Sequence, residues 1–290
     1  MKRKSSDFIE LYNMEWTNEV SSNALTTLEQ RKWNNPKRLP LADDLKLVNM
    51  FLKGKSEQLC ASVSESANSS NWKELAEVSL AQLVLFNRRR GGESERLQLA
   101  QYRQCLSNDD EMQEEVASAL SQFELQLAKT LKRIEIRGKK GRKVPVLITE
   151  DLLRNLNVLV ENRGAGEVDD ENPFMFARSG QSQTPIRGSD VIRKFAVECG
   201  AKSPQLITST NLRKHVATVS QILNLKENEL DLLANFLGHD IRIHRSYYRL
   251  PESTLQIAQV SKLLLHVEAG DLHKYKGKSL DEIHVGDAGK

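Results

Sequence analysis

The cleanest periodicity in the chain begins at Asn71, where Trp72, Leu75, Ala76, Ser79, Leu80, Leu83 and Val84 recur at helical spacing. Such a stripe predicts a helix with one face in a core and Asn71 as its cap. The pattern stops in a basic, glycine-bearing turn, Arg88-Arg89-Arg90-Gly91-Gly92. Most of the remaining chain also reads as helix. A helix is expected around Val20 to Lys32, and another from Asp43 to Lys53, stopped near Gly54. Residues 56–70 are Ser-rich and read as a loop or a weak helix. Asp109 to Thr130 is expected to be one long amphipathic helix with Val116, Leu120, Phe123 and Leu127 on its apolar stripe. Thr149 should cap Glu150 to Asn162, and Ser189 a helix that Gly200 ends. Residues 163–186 are expected to form a surface loop with a short strand at Phe174 to Ala177. Three more helices are predicted near Asn211 to Leu223, Glu227 to Phe236 and Glu252 to Val267, before a polar tail.

One segment departs from this helical pattern. Between Ile134 and Val146, two short β-branched or alternating stretches flank Gly138-Lys139-Lys140-Gly141, the signature of a β-hairpin. Charge gathers there too: Lys132, Arg133, Arg137, Lys139, Lys140, Arg142 and Lys143 stand against the single acid Glu135. Acidic residues pool elsewhere, around Asp109 to Glu111 and Asp169 to Glu171. The expected fold class is therefore mainly α with a small β-hairpin.

The 290 residues, 39% hydrophobic and 28% charged, can bury one large core or two smaller ones. No apolar run approaches the ~20 residues of a membrane span. Lys2, Arg3 and Lys4 lack the apolar stretch of a secretory signal, which points to an intracellular protein; they read as a solvated tail or as nuclear-import basicity. Cys60, Cys105 and Cys199 are widely spaced and odd in number, so neither a disulfide framework nor a metal site is expected. A net charge of +3 does not announce a nucleic-acid binder by itself; clustering of the basic residues on one face would.

Arg90, Arg213, Leu237-Gly238-His239 and Tyr248 together carry chemistry. Phosphodiester exchange without a metal needs a hydroxyl nucleophile, two fixed guanidinium groups and proton-handling groups. Tyr248 can supply the first, Arg90 and Arg213 the second, and His239 the third. Arg90 has Glu93 three residues on, where a carboxylate can hold a guanidinium in one orientation.

The order Arg, Lys, Arg, Gly-His, Tyr, with Tyr248 nine residues after His239, resembles the catalytic domain of tyrosine (phage integrase-like) recombinases over residues 70–265. Glu93 and Leu97 set the register for Arg90, as in that family, which Arg88 and Arg89 do not meet. The resemblance implies a DNA breaking-rejoining fold and a lysine on the hairpin, with Lys139 preferred over Lys140. It also implies that Thr210 stands where the family usually has histidine, able to donate a hydrogen bond but without a proton that titrates near neutrality. In that scheme Tyr248 attacks a DNA phosphorus, Arg90 and Arg213 stabilise the transition state, and Lys139 protonates the departing 5′ oxygen. The resulting 3′-phosphotyrosyl link calls for no metal and no small-molecule cofactor. Arg88, Arg89, Lys140, Arg142, Lys143, Arg242 and Arg245 are the expected DNA-backbone contacts.

The expected function is thus strand cleavage and rejoining by a site-specific recombinase, acting as a homo-oligomer on double-stranded DNA. The segments from Asn87 to Glu93 and from Gly238 to Pro251 are similar to Crypton-like eukaryotic mobile elements, and a nuclear location would follow. Two alternatives stand beside it: a domesticated DNA-binding derivative, and a DNA-relaxing enzyme like the type IB topoisomerases. The expected domains are a helical segment over 1–70, forming a small or truncated DNA clamp, a catalytic domain over 71–268, and a polar tail over 269–290.

Overall fold

The computed structural model describes residues 2–16, 21–30, 39–107, 114–138, 141–222, 227–237 and 261. It divides into two compact units, Met1–Arg38 and Leu39–Lys290. In the first, α1 (Lys2–Glu15) and α2 (Ser22–Gln30) are helices. Tyr12 of α1 stacks at 5.0 Å on Trp16, the residue after its end, and Phe8, Ile9 and Met14 are exposed. The sequence reading anticipated α2 but not α1.

The second unit is built on α3 (Ala42–Glu65) and α4 (Ser69–Asn87), packed against each other. Helix α3 runs straight through Gly54, where a stop was expected. A glycine in a helix interior costs only about 1 kcal/mol, and the buried row Val48, Leu52, Ser56, Cys60 and Val63 on either side of it outweighs that. Helix α4 is capped one turn earlier than Asn71. Asn68 accepts from the Ser70 and Asn71 amides, while the Asn71 side chain accepts from the Asn68 amide, which closes a capping box. From Trp72 to Asn87 this helix is buried on nearly every side. It is the axis of the unit rather than a one-faced surface helix.

Around α4 stand α5 (Gly91–Ser94), α9 (Glu150–Glu161) and α10 (Gly188–Glu198), while α6 (Leu99–Ser107) lies against the hairpin. Trp72 has no exposed surface, and its indole donates to the Leu159 carbonyl on α9 at 2.9 Å. Gln82 of α4 donates to the Leu52 carbonyl and accepts from Asn155, so one side chain joins α3, α4 and α9. The expected helix from Asp109 to Thr130 is instead, over the described residues, two short ones, α7 (Glu114–Ala119) and α8 (Gln122–Thr130). Ser121 and Glu124 form a capping box that starts a new helix there. Phe123 and Leu127, expected on the apolar stripe, are exposed.

Strands β1 (Lys132–Arg137) and β2 (Lys143–Ile148) form the expected antiparallel hairpin, with Glu135 opposite Pro145. Ile134, Ile136, Val144, Val146 and Ile148 face inward. Gly141 supplies the left-handed φ of +74° that the turn requires. Thr149 caps α9 as expected, whereas Arg187, not Ser189, stands at the N-cap of α10. The segment before α10 is not a plain surface loop. Met175, Phe176 and Ala177 are buried, and only isolated bridges, Gln98 with Phe174 and Ala177 with Pro185, stand where a strand was expected. Helices α11 (Ser209–Ile222) and α12 (Glu227–Phe236) follow, near their expected bounds. The expected helix from Glu252 to Val267 and the polar tail lie outside the described residues, apart from Ser261. The described architecture is thus mainly helical with one two-stranded sheet.

Candidate active site

The site starts where α4 ends. Arg88 takes a left-handed conformation, φ 52° and ψ 36°, and its amide donates to the Val84 carbonyl. Left-handed backbone is uncommon for a residue with a side chain. The bend it makes sends Arg89 into the interior and leaves Arg90 extended as the N-cap of α5. The Glu93 and Ser94 amides donate to the Arg90 carbonyl at 2.9 and 3.2 Å. The Arg90 Nη1 donates to Glu93 Oε1 at 2.8 Å, between a side chain 35% exposed and one 6% exposed. The carboxylate at the third position therefore orients the guanidinium, as its spacing implied.

Gly91 lies directly against α10. A Cβ on Gly91 would sit 3.0 Å from the Ser189 nitrogen, and one on Gly188 would sit 2.9 Å from the Gly91 Cα and carbonyl oxygen. Glu95 accepts from the Gly188 amide at 2.9 Å, which locks the same junction.

Arg89 has no exposed surface, so its expected contact with a DNA backbone does not hold in this structure. Its Nη2 donates to the Pro145 carbonyl of β2, and its guanidinium lies 4.6 Å over the Phe236 ring of α12. Burial pushes its pKa down to about 10; Glu93 opposes that shift, and Arg213 and Arg90 add to it. Arg90, Arg213 and Glu93 are thus all within electrostatic reach of one buried cation.

Arg213, 3% exposed, sits on α11 beside the fully buried Leu212. The helix begins with the Thr208 hydroxyl accepting from the Asn211 amide at 3.2 Å, and the Asn211 side chain donating to the Leu206 carbonyl at 3.0 Å. Thr210 is exposed in the first turn of that helix. His215 is half-buried and shares a recess with Arg88, Val219, Glu229 and Leu233. Burial lowers its pKa, and the neighbouring Arg88 lowers it further. Arg88 is itself half-buried, and desolvation depresses it too.

The hairpin presents its charge outward. Arg142 and Lys143 are exposed, and Lys143 lies 3.3 Å from Glu135, whose other close partner is Arg133 at 3.0 Å. Those two partners, Arg133 first, hold the Glu135 carboxyl below its usual range. At the other end of the hairpin Asn87 accepts from the Leu147 amide at 2.7 Å and donates to the Leu147 carbonyl at 2.8 Å. The strand carrying Pro145 is thereby fixed to the end of α4.

Arg90, Arg213 and Glu93 thus each act electrostatically on the buried Arg89, Glu93 is bonded to Arg90, and Thr210 shares a helix with Arg213. Lys139, Lys140, His239, Arg242, Arg245 and Tyr248 lie outside the described residues. The last described residue before Gly238-His239 is Leu237, buried, with its amide donating to the Leu233 carbonyl. Sequence reasoning missed Arg89, Asn87, Phe236 and Gly188 as organisers of the site. The readable signal was Gly91-Gly92, since paired glycines beside a chemical residue mark close backbone approach. Among the described residues no group of three or more His, Cys, Asp or Glu could hold a metal ion, and no helix is long and apolar enough to cross a membrane.

No protein-family model matches the chain, and no curated protein matches it. Among solved structures it is similar to the XerH site-specific recombinase bound to palindromic difH substrate in a post-cleavage complex. That match has a TM-score of 0.40 and 16% identity, over 71% of this chain and 50% of that one. It is also similar to XerH bound to difH substrate in a pre-cleavage complex, at a TM-score of 0.40 and 15% identity, over 71% of this chain and 52% of that one. The chain spans about half the length of these two structures.

Proposed function

We propose that this chain cleaves and rejoins DNA strands through a 3′-phosphotyrosyl intermediate on Tyr248, as a tyrosine recombinase does. The observation that supports the reading is that Arg90 and Arg213, far apart in sequence, both lie within electrostatic reach of the buried Arg89, with Glu93 holding Arg90. Two guanidiniums held in one place are what the two non-bridging oxygens of a phosphodiester require. Arg90 offers the accessible member of the pair and Arg213 the buried one.

In the forward step the Tyr248 oxygen forms a bond to phosphorus as the bond to the 5′ oxygen breaks. The tyrosine proton passes to a base in the site, a role for His239, and the leaving oxygen takes a proton from Lys139 or Lys140. The phosphoester bond count is conserved, so the reverse step needs only a 5′ hydroxyl. Joining to a new strand gives recombination; joining to the original strand gives relaxation.

The test is a nicked DNA substrate that traps the covalent state. Wild type should give a protein–DNA adduct that survives denaturant, and Tyr248→Phe should give none while still binding DNA. Wild type and Thr210→His both binding DNA without any adduct, across a broad library of nicked sites, would overturn the enzyme. That outcome would leave the domesticated DNA-binding reading, which the exposed Thr210 in the usual histidine position favours.

DNA binding itself is expected to rest on phosphate neutralisation by the exposed end of the hairpin. Replacing Lys139, Lys140, Arg142 and Lys143 together by Ala should flatten the dependence of log affinity on log salt, by roughly 0.9 for each phosphate no longer neutralised. An unchanged slope would return those side chains to an ordinary solvated face. Origin in a Crypton-like mobile element, action as a homo-oligomer on DNA and a nuclear location belong to the same proposal, resting on the sequence resemblance.

A further inference from the structure

Arg89 is unlike the other cations of the site. It is fully buried, and Phe236, Pro145 and Glu93 surround it together with two further arginines. Among the described residues its Nε and Nη1 are buried without a hydrogen-bond partner. Glu93 favours its charge, but Oε1 of that carboxylate already accepts from Arg90. A side chain needed only to fill this space would be better apolar, because hydrophobic replacements of buried ionic groups are often neutral or stabilising. An arginine here holds positive charge next to Arg90 and Arg213 in a place where water cannot screen it.

The same side chain also ties three elements together. Its backbone belongs to the turn that carries Arg90, its Nη2 holds β2 at Pro145, and its planar face covers the last residue of α12. Those elements bring the first arginine, the basic hairpin and the chain entering Gly238-His239 to one place.

We infer that Arg89 is a positioning residue of the phosphate site, a buried third guanidinium that fastens β2 and the end of α12 to the arginine turn and leaves the site electrostatically incomplete until a phosphate group arrives. The inference rests on the reading of Arg90 and Arg213 as a phosphate clamp. It gives Arg89 no direct contact with the reacting atoms.

The consequence is an opposition between stability and binding. Arg89→Met keeps an unbranched side chain against Phe236 and removes the charge. In phosphate-free buffer, relief of the repulsion among three arginines should offset the lost Pro145 bond, so this variant should melt no lower than wild type. Inorganic phosphate should raise the Tm of wild type more than that of the variant, with phosphate affinity lower by about tenfold in the variant. Adduct formation on nicked DNA should fall with it. Arg89→Lys keeps the charge without the planar fork, so it should recover most of the phosphate response while its adduct rate stays below wild type. An Arg89→Met variant that melts lower, fails to fold, or keeps the full phosphate response would show a merely structural arginine and overturn the inference. Wild type that shows this phosphate pattern but no adduct sinks strand cleavage and leaves the inference standing. Wild type that forms the adduct only as fast as Arg89→Met does sinks the inference alone.

Discussion

Arg213→Ala is expected to slow adduct formation on nicked DNA by roughly 10²–10³-fold, the usual loss when one preorganised donor to a transition-state oxygen is removed. The guanidinium is nearly solvent-free, at 3% exposure, so its attraction for a developing oxyanion is little screened. Equilibrium DNA binding should fall far less, because the exposed hairpin cations remain. Arg213→Lys separates charge from geometry: it keeps the cation but loses the two-point fork, and should sit between Ala and wild type. Single-turnover rates at saturating protein report the chemical step, and a parallel gel-shift titration reports binding. A loss confined to binding would mean that Arg213 holds the duplex and not the reacting phosphate.

Trp72→Ala should cost about 3–5 kcal/mol of unfolding free energy, as truncation of a large buried aromatic does. Three observations set that expectation. The ring has no exposed surface, its indole N–H is bonded to the Leu159 carbonyl at 2.9 Å, and Gly166 lies so close that a Cβ there would sit 2.4 Å from Cδ2. Removing the ring empties the junction of α4 with α9 and leaves the Leu159 carbonyl without that donor. Urea titration followed by circular dichroism checks the size of the effect. A cost under about 1 kcal/mol would mean that the junction collapses onto the vacancy.

The helical periodicity around Trp72 was legible because apolar spacing is a local property, and the hairpin because glycines bound its turn. The continuation of α3 through Gly54 was not, since what carries the helix past the glycine is tertiary burial of Val48, Leu52 and Cys60. The break at Ser121 was visible in principle, because Ser121 and Glu124 have capping-box spacing. A continuous apolar stripe masked it, of which Phe123 and Leu127 proved to be exposed. In the site, Arg90 and its carboxylate could be read from spacing, since both lie in one turn. The inward course of Arg89 could not. It depends on the left-handed Arg88 and on partners, Pro145 and Phe236, that only the fold supplies.

The clasp between Asn87 and Leu147 has a mechanical consequence. A side-chain amide there stands in for a neighbouring strand, exchanging both backbone bonds of one residue at the root of the hairpin. With Arg89 gripping Pro145 two residues along, β2 is held at two points, and Val144 and Lys143 run on from that fixed root. Lys143, exposed and two residues from Pro145, is thereby coupled through one carbonyl to the guanidinium of the buried Arg89.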